Sequence, residues 1–510
     1  MAGTSRKLPG LIYGGYEVVR VWRCNRCRNF TFQGNPCRIC SNEEGNEMDT
    51  EKMKPYSALR LYKVSSEEWV ITGKDPSQLR ERRAVCGSFQ YGTRTVPLRT
   101  LSASLTHSLH RYVRLIVHCI SHWSYKSYPI PSKPTYTEQD VTVIIPTIHH
   151  NFEELRPSLE SILATNPYEL IIVTTTSKFD ALMKLARTLN LTRIRIFCIP
   201  VANKRLQVCK ALPYVTTPIT IMADDDVTWP KTLMPWILAP LKNERIGGVS
   251  TCQRVRRDAG VSILWRASNW LGACYIERRN FEISATHNID GGTSCMSGRT
   301  GAYRTDIFRD PAFQHSFKTE RWRDFILNAD DDNFVTRWLV SHGWKTWVQY
   351  ERECEVETAL EYGLKFLYQC SRWARSNWRS NWTSLVVERH VWRQQPWSTY
   401  ALHIATFTSL AFVFDPLILA SLWWGTADWD NMNRCYAFGA MLVFFAFTKV
   451  VKLMGLFKRN PKDLMFLPLS IVFGYFHGLI KLYALFTLNV VRFLVLAHLG
   501  AAVPRQQTNR

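Results

Sequence analysis

Hydrophobic positions along this chain fall into three regimes. Through residues 1–100 they are sparse and aperiodic among polar, basic and turn-forming residues. Across 101–122, Leu101, Leu105, Leu109, Tyr112, Leu115, Ile116, Cys119 and Ile120 recur on one helical face, with Arg111, Arg114 and histidines between them. That spacing predicts a basic amphipathic helix over 101–125, which either lies in a membrane interface or packs onto the rest of the chain. Pro129-Ile130-Pro131-Ser132-Lys133-Pro134 reads as a linker. From Val141 short apolar runs (141–146, 170–173, 194–199, 219–223) alternate with helical spacing (152–164, 179–189, 204–212). Such alternation predicts an α/β domain over 140–355, with a mainly parallel sheet covered by helices on both faces. Beyond it, 356–395 is aromatic and basic, and 396–500 is dominated by long apolar segments.

Those segments are 399–424, 435–457, 464–480 and 482–499, each long enough to cross a hydrocarbon core of about 30 Å. Three or four membrane spans are expected. Asp415, Lys449 and Lys452 are costly in lipid and should face protein or a water-filled path. The link 425–433 carries Asp428 and Asp430 and is predicted to face outward. The next link carries Lys458, Arg459 and Lys462 and is predicted to stay in the cytosol with the α/β domain. A multi-pass membrane protein is expected, at the plasma membrane rather than the Golgi or ER.

Charge and cysteine usage sharpen this picture. The 64 basic and 42 acidic residues leave a net +22, which suits nucleotide phosphates and membrane lipids as partners. No polar phosphate-tracking stripe stands apart from the membrane-flanking segments, so nucleic acid is not an expected partner. Met1 to Leu8 is polar, without an apolar core, so the soluble part is expected in the cytosol with most thiols reduced. Cys24, Cys27, Cys37 and Cys40 form two C-x2-C pairs nine residues apart, a spacing that predicts one structural Zn²⁺ in a knuckle over 20–42. With Trp22 before it, the segment resembles a zinc finger of the Ran-binding-protein type, although its gap is a residue shorter. That resemblance implies zinc ligation only; the region's role is expected to be structural or the recruitment of a protein partner.

The strand 219–223 ends in Asp224-Asp225-Asp226. Carboxylates at the carboxyl edge of such a sheet lie where open α/β folds bind ligands. Their hard oxygens suit Mn²⁺ or Mg²⁺, with Asp224 and Asp226 as the holders and a phosphate completing the shell. No glycine-rich dinucleotide or P-loop motif follows the first strand, which removes dehydrogenases and P-loop kinases.

Val143-Ile144-Ile145-Pro146, Asn203-Lys204-Arg205, Asp224-x-Asp226, Ser297-Gly298-x-x-Gly301, Asp331-Asp332 and Gln369-x-x-Arg372-Trp373 occur in that order. Together they resemble the membrane-bound processive transferases of glycosyltransferase family 2, the hyaluronan, chitin and cellulose synthases, over residues 140–490. The resemblance implies a GT-A-like catalytic domain with a mixed, mainly parallel sheet, followed by transmembrane helices. It implies inverting, metal-dependent transfer from a nucleotide-sugar, a UDP-sugar in this reading, to a growing polysaccharide. Asp332 would be the general base, its proton affinity raised by Asp331. Pro146, Lys204, Arg205, Asp224 and Arg372 would hold the donor and its diphosphate. Ser297, Gly298, Gln369 and Trp373 would hold the acceptor, with the indole face as a stacking platform. Asp330 is expected to be a solvated turn residue, and Trp373 to point away from Gln369 and Arg372.

Two positions depart from the family pattern. Thr174-Thr175-Thr176 stands where relatives place a base-reading Asp, and Asn333 where hyaluronan synthases have Arg. The N-terminal transmembrane helices common in the group have no counterpart here, and the 101–122 helix takes their place in this reading. Two alternatives compete: a lipid-directed transferase acting on a sphingolipid or polyprenyl phosphate, and a catalytically degenerate membrane scaffold.

Overall fold

The computed structural model describes residues 112–490, apart from 150, 190–192, 258–261, 329, 362 and 409, together with five strands nearer the N-terminus. Those strands form an antiparallel sheet of their own. It gives structure to a region whose sequence shows little periodicity. Arg23 pairs with Phe30 across two of its strands, bracketing the first cysteine pair in sequence. Cys24, Cys27, Cys37 and Cys40 themselves lie outside the described residues.

The sheet of the α/β domain has seven strands: β1 (Val141–Pro146), β2 (Glu169–Thr175), β3 (Ile194–Ile199), β4 (Ile219–Ala223), β5 (Ile246–Thr251), β6 (Thr300–Arg304) and β7 (Lys345–Gln349). Their order is β7-β5-β6-β4-β1-β2-β3. β4, β1, β2 and β3 run parallel, as do β5 and β7, while β6 is antiparallel to both its neighbours. The sheet is thus mixed, and β5 to β7 were not marked by the apolar runs. β1, β2 and β4 are buried along their whole length, as continuous apolar runs covered on both faces require. Ile144 and Ile145, adjacent in β1 and fully buried, feed two different core clusters, one on each face of the sheet. Each such side chain contributes about 1.5–3 kcal/mol.

Three helices carry the site. α1 (Lys204–Ala211) starts where the Asn203 side chain accepts a hydrogen bond from Leu206 N, an ordinary N-cap. α3 (Asp331–Ser341) follows Asp330, which sits in the left-handed region at φ 66°. α4 (Leu364–Trp382) carries the Gln369–Trp373 cluster. Between β5 and β6 lies α2 (Ile263–Asp290), 28 residues long and without an amphipathic stripe that sequence could reveal.

Helix 112–124 packs one face on α2: Ser121 Oγ donates to Ala285 O (2.8 Å), and Cys119 clusters with Phe281 and Val451. Its other face leaves Ile116, Ile120 and Trp123 exposed. Among the described residues, two helices near the C-terminus are long and apolar enough to cross a membrane, α5 (Asn431–Val451) and the one over Pro461–Phe486, whose α-helical part is α6 (Leu467–Phe486). The expected span at 399–424 is instead bent by 83° between Pro396–Thr408 and Ala411–Gly425. α6 runs unbroken through Lys481, where two spans had been expected to meet, and residues beyond 490 lie outside the described set.

Both ends of α6 are held near the catalytic domain. Asp463, just before it, pairs with Arg257 (2.6 Å), and near its far end Lys481 O accepts from Trp378 Nε1 of α4 (2.9 Å). As expected of charge in apolar surroundings, Lys449 is paired with Asp415 (3.3 Å), which also accepts from Tyr475 (2.9 Å).

Candidate active site

β4 delivers Asp224-Asp225-Asp226 to the carboxyl edge of the sheet, and Asp224 N donates to Arg299 O (3.1 Å), extending its pairing with β6. The first residue of α1, Lys204, reaches into this edge. Its ammonium lies 2.7 Å from Asp224 Oδ1 and 2.8 Å from Asp331 Oδ2, joining the strand carboxylates to those opening α3. Gly298 allows the approach from below. A Cβ there would stand 3.2 Å from Asp332 Cβ and 3.6 Å from both Asp331 Oδ2 and Lys204 Nζ.

The neighbouring carboxylates titrate apart. Burial pushes Asp332 up, and the negative charge of Asp331 pushes it further. Burial also works to raise Asp331, but the Lys204 charge and hydrogen bond overcome it and hold that group below the usual carboxylate range. Asp226 is pushed up to about 7, by burial and then by Asp224. Its Oδ2 accepts from Thr358 (3.3 Å), while its buried Oδ1 has no partner among the described residues. An orphaned carboxylate oxygen beside a second carboxylate is an electrostatic debt that a divalent cation removes. Asp224 and Asp226 therefore fit one. The described residues contain no group of three or more His, Cys, Asp or Glu placed to hold a metal. The remaining ligands would have to come from substrate and water, as is usual for Mg²⁺ at phosphate sites.

α4 closes the site. Gln369, Arg372 and Trp373 all line one cavity of about 480 Å³ with Lys204, Asp224, Asp226, Ser297, Gly298, Asp331 and Asp332. Trp373 does not turn away from its neighbours. Its ring stacks on Tyr275 of α2 (4.9 Å between centres, 26° between planes), and the Arg299 guanidinium lies 5.5 Å from the ring centre. The protein itself therefore engages the indole expected to stack on a sugar. Arg299 also donates to Thr358 Oγ1 (2.9 Å), and Thr358 in turn to Asp226, so one chain of contacts links the indole to the acidic edge. Arg299 and Tyr275 are functional candidates that sequence reading passed over. The first hides in an unspecified position of the Ser297–Gly301 motif, and the second lies in a helix with no stripe.

Several expected roles change. Arg205 is only 1% exposed, donates to Phe317 O (2.8 Å) and pairs with Glu320 (2.6 Å); it is absent from the cavity lining. It staples α1 to the core and is no diphosphate clamp. Pro146 ends β1 in the core and does not reach the cavity either. Asp330 is no solvated turn residue: it is buried and receives Arg379 of α4 through Nε (3.0 Å) and a terminal nitrogen (2.6 Å). Its left-handed backbone and this two-point pairing fix the start of α3, and hence Asp331 and Asp332, against α4. Asn333 is likewise buried and donates to Ser376 Oγ of α4 (2.7 Å). At the end of β2, Thr174 is buried with an unpartnered hydroxyl among the described residues. Asp225 turns instead to Thr147, whose hydroxyl donates to it at 2.5 Å.

The closeness at Gly298 gives a first prediction. In Gly298→Ala the new methyl must displace Asp332 by a few tenths of an ångström. Turnover should fall about 10-fold or more, since misplaced reacting groups are costly, while the thermal midpoint stays close to wild type. A variant with normal turnover would show that the Asp332 backbone position is not critical.

A family model described as "Glycosyltransferase like family 2" matches residues 138–376. A "Type 2 glycosyltransferase" of Gibberella zeae is 73% identical over 382 residues, covering 75% of this chain and 73% of that one. Hyaluronan synthase 2 of Gallus gallus is 25% identical over 200 residues, 39% of this chain and 34% of its own. A solved mannosyltransferase from Pyrobaculum calidifontis, in complex with GDP-Man and Mn²⁺, superposes with a TM-score of 0.48 at 16% identity, over 78% of this chain and 99% of that one.

Proposed function

The chain belongs to the type 2 glycosyltransferases, and from that premise we propose that it extends a saccharide at the cytosolic face of a membrane, using a nucleotide-sugar. The donor in this reading is a UDP-sugar, the transfer is inverting, and a divalent cation, Mn²⁺ or Mg²⁺, assists it. One observation carries the proposal: a single cavity gathers Asp224, Asp226, Asp332, Gln369, Arg372 and Trp373 and continues to α5 and α6.

In this mechanism Asp224 and Asp226 would hold the cation, and when bound it would supply Lewis acidity for the donor diphosphate. Lys204, still paired with Asp331, and Arg372 meet the phosphate charge. Asp332 accepts the proton of the acceptor hydroxyl, and Asp331, kept ionised by Lys204, raises its affinity for that proton. Because Asp332 must be ionised to act, the acid limb of the rate should lie above the ordinary carboxylate range. Activity is then lost as pH falls through that raised value.

The 458–463 link bears on orientation. Arg459 pairs with Glu355 (2.8 Å) and Asp463 with Arg257, and these pairs support the reading that the link stays on the cytosolic side with the α/β domain. The exposed Ile116, Ile120 and Trp123 suit the 112–124 helix to the interface. A plasma-membrane location remains our reading from the hyaluronan synthase resemblance. The domain limits read from sequence, including a zinc knuckle at 20–42, belong to the same proposal. Metal analysis of the purified full chain should find zinc that disappears when Cys24 and Cys27 are replaced by Ser; a zinc-free wild type would remove the knuckle.

The proposal is tested by giving membranes each UDP-sugar with Mn²⁺ or Mg²⁺ and measuring released UDP and polymeric product. UDP release without any product longer than one added sugar would favour a lipid-directed transferase over a polymerase. The cation-rich membrane-side walls of the cavity are the observation that keeps that second reading in play.

A further inference from the structure

The cavity does not end at the reacting groups. Tyr275, stacked on Trp373, also meets the His477 ring of α6 at 5.7 Å, and one turn further along the two helices stand Arg278 and Lys481. This half is walled by α2, α5, α6 and helix 112–124, and it gathers the cations Arg114, Arg278, Lys449, Lys452 and Lys481. Two of these are neutralised: Lys449 by Asp415 and Lys452 by Glu282. Arg114 spends a nitrogen on Ala401 O (3.1 Å), which is uncharged. Arg278 and Lys481 have no ion-pair or side-chain hydrogen-bond partner among the described residues.

Glu282, already paired with Lys452, also acts on Arg278 and Lys481, so these five cations share Asp415 and Glu282; such an excess of buried positive charge opposes folding and persists where a ligand supplies the anion. The same walls are apolar elsewhere, through Leu115, Ile283, Leu402, Ala405 and Phe473. Asn377, Asn381, Thr406 and Thr448 also line the cavity and suit a saccharide, but neutral hydroxyls do not answer the excess of positive charge beside hydrocarbon. Charge next to hydrocarbon matches an amphiphile with an anionic head. α5 and α6 also present exposed apolar residues such as Val443, Phe447 and Val472, so lipid is at hand on the outer side of the same helices.

We propose that the membrane-side half of the cavity is a binding site for the phosphate of a lipid-linked acceptor, with Arg278 and Lys481 as its anion contacts. The inference rests on the transferase reading and deepens it: the saccharide would be extended while carried on a lipid phosphate. Its hydroxyl end lies toward Asp332 and its phosphate toward α6. The two Arg and Lys groups act by charge-assisted hydrogen bonds, the class that distinguishes a phosphate from the corresponding alcohol.

The test uses the purified full chain in nanodiscs without donor, with a polyprenyl phosphate and the matching polyprenol as probes. Wild type should bind the phosphate about 10-fold or more tightly than the alcohol, the usual strength of a charge-assisted contact. Arg278→Gln and Lys481→Gln should each erase most of that preference, whereas Arg278→Lys and Lys481→Arg should keep it. The charge-keeping pair controls for misfolding. Equal binding of phosphate and alcohol by wild type overturns the inference, as do glutamine variants that retain the preference. Competition by an uncharged oligosaccharide at lower concentration than the lipid phosphate also overturns it, in favour of a neutral chain. Nucleotide-sugar binding by wild type is measured alongside. If the donor binds and the lipid phosphate does not, only this inference fails; if neither binds, the transferase reading fails with it.

Discussion

Asp332→Asn is expected to leave donor binding within about twofold of wild type and to cut sugar transfer by ~10² or more, the usual worth of a general base. The substitution keeps the side-chain volume and hydrogen bonding but removes the basic oxygen. The proposed donor contacts, Lys204, Asp224, Asp226 and Arg372, are untouched by the change. The fold should survive as well: Asp332 Oδ1 accepts from its own helix's Asn333 N (2.9 Å) and the carboxylate also takes the Cys295 thiol hydrogen bond, and an amide oxygen can accept in either place. The comparison variant Trp373→Ala should behave differently. It removes the stack on Tyr275 and uncovers Arg299, so its loss should be partly relieved by raising acceptor concentration, whereas that of Asp332→Asn should not. The measurement is UDP release and product formation against donor concentration, with nucleotide binding followed separately by calorimetry. Near-normal transfer by Asp332→Asn would place the base elsewhere. Loss of nucleotide binding would make Asp332 part of the donor site.

How much of this was legible beforehand depends on what each residue's role looks like in one dimension. β1 and β4 were readable because a strand covered on both faces must be apolar throughout, and the acidic cluster at the end of β4 stood out against that run. β6 was not, because Thr300-Gly301-Ala302-Tyr303-Arg304 packs with small residues and shows neither alternation nor an apolar run. α2 failed for a related reason. It is covered on more than one side and buries Asn269, Glu277, Asn280 and Ser284 along with its apolar residues, so no stripe marks it. Charge was the poorest guide to role. Arg205 and Lys204 are adjacent in sequence, yet one enters the core against Glu320 and the other bridges two catalytic-edge carboxylates. Asp330 and Asp331 divide in the same way, one to Arg379 and the other to Lys204. Such partners lie from 20 to 127 positions away and only folding brings them together.

The acidic edge carries the other large effect. Asp226→Asn is expected to reduce turnover to background at every Mn²⁺ concentration while the protein still inserts into membranes and melts near the wild-type temperature. The reason lies in the unequal surroundings of the carboxylates. Asp224 is neutralised by Lys204 at 2.7 Å, whereas Asp226 faces Asp224 with one buried oxygen unpartnered, and burial with that repulsion raises it to about 7. Removing its charge relieves repulsion, so stability should not suffer, but it leaves one carboxylate for a cation whose other ligands must come from substrate and water. The raised value has a sign that can be checked in wild type without any turnover. Below about 7 a cation must displace a proton from Asp226, so the apparent Mn²⁺ affinity should weaken toward tenfold per pH unit as pH falls through that value and level off above it. Electron paramagnetic resonance of Mn²⁺ titrated into the nucleotide-bound protein reads both effects. Affinity independent of pH between 5.5 and 8 would detach Asp226 from the cation, and wild-type Mn²⁺ binding by Asp226→Asn would move the ion to another set of ligands.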